Sequence, residues 1–157
     1  MRKRVSILGS GISGVGAAIL AKDKGYEVFV SDSNEITSNV KNKLDFISIP
    51  WEENKHSYAE LKKSDLVIKS PGISNESEII VKLKNSKVKI ISEIEFASTH
   101  TNSFIIGVTG SNGKTTTTKL IYHILKNSGL NIGIAGNIGT SFSKQIAENK
   151  FDYYVLE

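Results

Sequence analysis

A lysine set among glycines and hydroxyls is the sharpest chemical signal in this 157-residue chain. Gly110-Ser111-Asn112-Gly113-Lys114-Thr115-Thr116 follows an apolar stretch, Phe104 to Val108, and opens a helix-like one. Strand, glycine-rich loop and helix in that order make an anion cradle. Backbone N–H groups of the loop converge on the anion, and the helix amino terminus adds partial positive charge. Lys114 reaches the β- and γ-phosphates of ATP as a point charge, and the Thr115 hydroxyl is placed to ligate Mg²⁺. The usual loop, G-x-x-x-x-G-K-[ST], would begin with a glycine at position 108, where this chain has Val108, so the loop is shortened. The competing reading is a structural strand–helix turn with an incidental lysine. The apolar strand ahead of it and the run Thr115 to Thr118 weigh against that.

A second glycine loop lies near the amino terminus. Gly9-Ser10-Gly11-Ile12-Ser13-Gly14 matches G-x-G-x-x-G after a strand-like run, and Asp32 follows 18 residues past Gly14. That is a dinucleotide-binding fingerprint, with the acid placed to meet a ribose. Alone it is weak. It serves a nucleoside diphosphate, a nicotinamide or flavin, or close helix–sheet packing with no ligand. Three loops, 9–14, 32–33 and 70–73, each follow the carboxyl end of a strand. They share the sheet edge where open α/β sheets bind ligands. A phosphate-bearing ligand is cradled there by Gly11 to Ser13, with Asp32 on a sugar or base.

The elements that must hold these loops alternate. Expected strands are 5–8, 27–30, 46–49, 65–68, 88–91, 104–108, 131–135 and 151–156. Expected helices are 13–24, 36–44, 55–63, 76–85, 114–126 and 141–148. Leu120, Ile121, Ile124 and Leu125 recur at one-face helical spacing. Gly25 and Gly129 sit where helices end in a left-handed cap. Strands separated by helices imply crossovers and parallel sheets, an α/β fold. The polar run Ser98-Thr-His-Thr-Asn-Ser103 marks a boundary. The division expected is a Rossmann-like domain, 1–99, and the start of a P-loop-type α/β domain, 100–157. A parallel sheet usually has more than the three or so strands of the second part, so a fragment of a longer chain is expected.

Composition narrows the partners. Hydrophobic residues at 39% and charged residues at 23% allow a buried core and a solvated surface. No apolar run approaches the roughly 20 residues of a membrane span. With no cysteine, disulfides, thiolate catalysis and cysteine-bound zinc are excluded. The net charge of +4 comes from scattered residues without a stripe, which argues against nucleic acid. His56, His100 and His123 show no metal-ligand spacing and read as structural or solvated. Trp51 and Tyr58 read as packing or surface residues.

The shortened loop Thr109 to Thr115 resembles that of the Mur ligases and their folylpolyglutamate synthetase relatives. Gly9 to Gly14, Ser70-Pro-Gly-Ile73, Glu93-Ile-Glu95 and Gly136-Asn-Ile-Gly139 fall in the order and spacing of the D-glutamate-adding Mur ligases. The resemblance spans residues 5 to 157. Ala135, where a glycine is common, is a departure. By this resemblance Gly11, Ile12, Ser13, Asp32, Ser33 and Gly72 hold the UDP part of the substrate. Gly110, Ser111, Asn112, Gly113, Lys114, Thr115 and Thr116 hold ATP. Lys114 and Asn137 serve the reacting centre, and Thr115 and Glu157 coordinate Mg²⁺. It further implies a cytoplasmic monomer in cell-wall precursor synthesis. Its substrates are UDP-N-acetylmuramoyl-L-alanine, D-glutamate and ATP, joined through an acyl phosphate, with no nucleic acid or membrane partner. The 157 residues by themselves are expected not to catalyse ligation. Another Mur ligase, such as the L-alanine-adding one, a nicotinamide-dependent oxidoreductase and a non-catalytic nucleotide-binding module are the alternatives.

Overall fold

The computed structural model describes residues 2–157. Two parallel sheets follow one another. The first is built from β1 (Arg4–Leu8), β2 (Glu27–Ser31), β3 (Trp51–Glu52), β4 (Leu66–Lys69) and β5 (Lys89–Ser92), in the order β3-β2-β1-β4-β5. Its helices are α1 (Ile12–Asp23), α2 (Ser38–Phe46), α3 (Tyr58–Leu61), α4 (Glu78–Asn85) and α5 (Glu93–Ser98). The second sheet is β6 (Phe104–Gly107), β7 (Ile132–Ala135) and β8 (Tyr153–Leu156), in the order β6-β8-β7, with α6 (Lys114–Asn127) and α7 (Phe142–Glu148). Residues 99–103 connect the two. In the first sheet the chain order reverses on either side of β1. The loops after β1 and β4 therefore flank a crevice at the carboxyl edge, where such sheets take ligands.

The two sheets share one core. Val5, Ile7, Val28, Val30 and Phe96 form one apolar cluster with Ala135, Phe142, Tyr154 and Leu156. Helix α1 makes this possible because it is small on several faces. Gly14, Gly16, Ala17, Ala18, Leu20 and Ala21 are all buried in it. One side meets the first sheet and another meets α7. The approach is so close at Gly16 that an added Cβ would lie 1.9 Å from the Ser141 Oγ. Phe142 meets Tyr154 edge-on, centroids 5.0 Å apart at 72°, an arrangement that adds about 0.5–1.5 kcal/mol beyond burial.

A buried carboxylate ties the two parts. Glu93, 4% exposed, opens α5, and its Oε1 accepts the Ser143 backbone N–H at 2.5 Å. That N–H is in the first turn of α7, where no intrahelical partner exists. Burial raises the Glu93 carboxyl above its ordinary value of 4.5, and the Ser143 bonds only partly oppose it. The folded state thus binds this proton more tightly than the unfolded chain. The stabilisation is complete below the unfolded carboxylate value and declines as pH rises to the raised one. Glu93→Gln keeps an acceptor without the charge. We expect its thermal unfolding midpoint at pH 8 to equal or exceed that of the parent. Glu93→Ala leaves Ser143 unpaired and should cost about 1–3 kcal/mol at the same pH. A Gln variant that loses as much as Ala at pH 8 would show instead that Ser143 requires the ionised carboxylate and that its buried charge is not a net cost there.

Several sequence expectations need correction. Residues 46–49 are not a strand. Helix α2 continues through Phe46, which is 90% exposed, and Ser48 takes a left-handed φ of 54° before Pro50. The third strand is Trp51–Glu52 instead, since Val30 donates to the Pro50 carbonyl at 3.0 Å. The helix expected over 55–63 is the single turn α3. Helix α5 was not anticipated. Its signal is Ser92, whose Oγ accepts from the Glu95 N–H at 3.1 Å as an amino-terminal cap. The apolar stripe on α6 is real as a helix period, yet Leu120 and Ile124 stay 55% and 52% exposed. Among the described residues no layer covers that side.

Candidate functional site

The shortened loop connects β6 to α6 at the carboxyl edge of the second sheet. Val108 N–H still pairs with the Leu156 carbonyl at 2.8 Å, so the chain leaves the sheet only after it. Gly110 at φ 153° and Gly113 at φ 74° then turn it into the helix. Position 113 is left-handed, where a side chain would be strained. Residues 110–113 are exposed. The Lys114 Nζ folds over the loop and donates to the carbonyls of Gly110 at 2.7 Å and Ser111 at 3.3 Å. Both bonds are exposed, so an entering phosphate can exchange for them at little cost.

Glu157 and Asn137 arrive from the ends of the neighbouring strands. The Glu157 N–H donates to the Ala135 carbonyl at 3.2 Å, and Asn137 N–H donates to the Glu157 carbonyl at 3.1 Å. The Asn137 Nδ2 lies 3.3 Å from Glu157 Oε1. Gly136, at φ 104°, permits this pairing, since a Cβ there would come within 2.5 Å of the Glu157 carbonyl oxygen. The Glu157 carboxyl is held below its ordinary value, chiefly by the Thr115 hydroxyl. Desolvation opposes this, while Asn137, Lys114 and Lys119 assist. Its Oε2 is shielded and has no hydrogen-bond partner among the described residues. Lys114, Thr115, Asn137 and Glu157, spread over 44 positions of sequence, thus share one end of the sheet. A cation, two phosphates and a reacting oxygen fit such a donor set.

The residues expected around UDP are split between two clefts. Gly9, Asp32, Ser33, Asn34 and Gly72 line a cavity of about 700 Å³ with His56 and Tyr58. Gly11 and Ile12 line a second one of about 640 Å³, between α1, α2 and the loop carrying Gly139 and Thr140. Ser13 lines neither. The second cleft joins the first glycine loop to the loop that follows Asn137. Asp32 is the anchor of the first loop: its Oδ2 accepts the Ser10 N–H at 2.6 Å and the Ser10 hydroxyl at 2.7 Å. Its Oδ1 accepts the Asn34 N–H at 2.9 Å. Burial pushes Asp32 up, but the Ser10 hydroxyl, the Asn34 and Ser10 N–H groups and His56 bring it below its ordinary value.

The sequence missed His56 as a site residue. It is half-buried in the first cleft, with Nδ1 2.6 Å from Ser31 Oγ. Tyr58 was missed likewise. The other two histidines are elsewhere: His100 packs edge-on to Phe96, centroids 4.7 Å apart, and His123 pairs with Asn127 on exposed α6. Among the described residues no three acids or histidines gather to hold a metal, and no helix is long and apolar enough to cross a membrane.

Known families match both parts of the chain. Residues 4–79 match the MurD N-terminal domain and residues 108–157 match the Mur ligase middle domain. The chain is 54% identical over 155 residues to a UDP-N-acetylmuramoylalanine–D-glutamate ligase of Bacteroides fragilis, covering 99% of this chain and 35% of that protein. It is 50% identical over 157 residues to the ligase of the same name from Christiangramia forsetii, again 35% of that protein. The chain therefore spans about a third of the length of these relatives. Among solved structures, a pseudomurein peptide ligase type C from Methanothermus fervidus superposes with a TM-score of 0.60 at 29% identity, over 98% of this chain and 32% of that one. A UDP-N-acetylmuramate:L-alanyl-gamma-D-glutamyl-meso-diaminopimelate ligase from Neisseria meningitides shares the fold, with a TM-score of 0.65 at 24% identity, over 100% of this chain and 52% of that one. With both stretches matched in order and the phosphate-loop geometry within the second, the chain belongs to the Mur ligase family.

Proposed function

We propose that this chain supplies the UDP-binding and ATP-binding parts of a ligase that adds D-glutamate to UDP-N-acetylmuramoyl-L-alanine in peptidoglycan precursor synthesis. In this reading residues 1–99 form the UDP-substrate domain and residues 100–157 the first part of the central ATP domain. The observation that carries it is the convergence of Lys114, Thr115, Asn137 and Glu157, with a separate cleft that joins the first glycine loop to Gly139 and Thr140 in the loop after Asn137. The names of the relatives at about half identity supply the substrates.

The reaction transfers the γ-phosphoryl group of ATP to the substrate carboxylate, giving an acyl phosphate and ADP. The amine of D-glutamate then attacks the acyl carbon, and phosphate leaves as the amide forms. Two anions must first meet. Lys114 and the α6 amino terminus offset their repulsion by binding the phosphates. Asn137 offers its amide to the transferring group or the carboxylate. Mg²⁺, when bound, would offset phosphate charge from a site made by the Thr115 hydroxyl and the unpartnered Glu157 Oε2, a donor set it accepts together with phosphate oxygens. Gly11 to Ser13 would take the diphosphate at the amino terminus of α1.

Calorimetric titration at pH 8 tests the first half of this. UDP-N-acetylmuramoyl-L-alanine should bind the chain, and NADH should neither bind nor compete. Binding of NADH in its place would turn the reading toward an oxidoreductase. A chimera joining this chain to the remaining two-thirds of the Bacteroides fragilis ligase tests the second half. It should release phosphate only when D-glutamate, ATP and the UDP substrate are all present.

A further inference from the structure

The first cleft contains a histidine whose proton can be placed by counting donors. Ser31, fully buried at the end of β2, has one hydroxyl proton. Its Oγ lies 2.8 Å from Glu52 Oε1, 3.4 Å from the Lys55 carbonyl oxygen and 2.6 Å from His56 Nδ1. A carboxylate and a carbonyl only accept, so the Ser31 proton belongs to Glu52. Glu52 is itself fixed, because its Oε1 also accepts the Ser57 N–H at 2.7 Å. The short contact with His56 is then favourable only if Nδ1–H donates to Ser31. Burial holds this imidazole below its ordinary value of 6.5, although Asp32 and Glu52 pull the other way. At pH 8 the ring is neutral with its proton on Nδ1, and Nε2 is left as a bare acceptor. No partner for Nε2 exists among the described residues. The ring lines the cavity.

What could this acceptor read? A phosphate is a poor fit, since Asp32 and Glu52 stand next to it and a phosphate offers no proton. Tyr58 lines the same cavity and supplies an aromatic wall, the kind of surface a base rests on. A planar ring with one N–H between two carbonyls matches an acceptor beside an aromatic. We propose that His56 Nε2 accepts the imide N–H of a uracil-type base, so that His56 sets the base specificity of the nucleotide cleft. The proposal rests on the reading that the first sheet holds a UDP group. Cytosine carries a lone pair at the corresponding nitrogen and would face the His56 lone pair.

The test measures UDP and CDP binding to this chain by calorimetry at pH 8, for the parent, His56→Phe, His56→Ala and His56→Gln. Thermal unfolding of each reports the fold. The parent should prefer UDP by about tenfold, the worth of one good hydrogen bond. Phe and Ala variants should lower that ratio to near one, mostly by weakening UDP, and the Ala variant carries the test if the phenyl ring does not fit. Gln, whose amide oxygen accepts, should restore part of the preference. An unchanged UDP-to-CDP ratio in a folded Phe or Ala variant would overturn the role of His56 and leave the UDP reading standing. A parent that binds neither nucleotide would overturn both.

Discussion

Lys114→Ala, placed in the chimera with the Bacteroides fragilis ligase, is expected to lower D-glutamate-dependent phosphate release by about 10²–10³-fold or more. That is the scale on which one group aimed at developing charge contributes to a transition state. The lysine is the cation of the loop itself; the other cation felt by Glu157, Lys119, lies five residues further along α6. Among the described residues its ammonium donates only to the carbonyls of Gly110 and Ser111, in exposed bonds. The fold should therefore not register the change: thermal unfolding should move by less than about 0.5 kcal/mol. UDP affinity should also hold, since the nucleotide cleft lies on the other sheet. Retained activity would remove Lys114 from the chemistry. A parallel loss of UDP binding or of stability would mean the loop has a structural role instead.

Gly14→Ala should damage the fold more than any surface change. Gly14 lies in α1 where the helix crosses β1, and an added Cβ would sit 1.8 Å from the Gly9 carbonyl oxygen and 2.8 Å from its carbon. Backbone cannot swing aside as a side-chain tip can. The helix must lift, and α1 carries the shared core and the contact with α7. A loss of about 3–5 kcal/mol is expected, a large share of the whole stability of a domain. For a chain of this size that lowers the midpoint by about 10 °C. Gly11→Ala is the control. It lies in the same loop, has an ordinary φ of −70°, and has nothing within 4 Å of its Cβ position. Circular dichroism melts of the two should separate cleanly. If Gly11→Ala destabilises as much, close approach is not what the third glycine of the motif provides.

These two residues sit in the parts of the chain that sequence alone described best. Glycine loops, their lysine and their threonine are local. They owe their meaning to a strand before and a helix after, and both can be read from short-range periodicity. The alternation of those elements also determined an α/β fold with parallel sheets, because parallel strands need crossovers. Errors came where tertiary contact overrides local pattern. Phe46 to Ile49 reads as apolar and extended, yet Phe46 is exposed, Ile47 is only partly buried and Ile49 alone is fully buried, so the helix runs on and the strand forms after Pro50. Leu120 and Ile124 read as a core stripe, yet nothing described covers them.

The nucleotide cleft marks the same limit more sharply. Asp32 was legible because it lies at a fixed distance after a glycine motif. His56 was not, because a lone histidine in a polar stretch carries no spacing signal. Only the pairing of β2 with β3 brings it to the buried Ser31. Likewise Thr115, Asn137 and Glu157 could be linked in sequence only through family resemblance, whereas the order β6-β8-β7 sets their loops side by side. Sequence by itself determined the classes of element and the phosphate-binding chemistry of two loops. Tertiary structure alone decided which distant side chains meet, and that one helix of small residues, α1, joins both sheets into a single core. Loop chemistry depends on neighbours a few residues away, but burial and side-chain partnership depend on strand order, which no local pattern encodes.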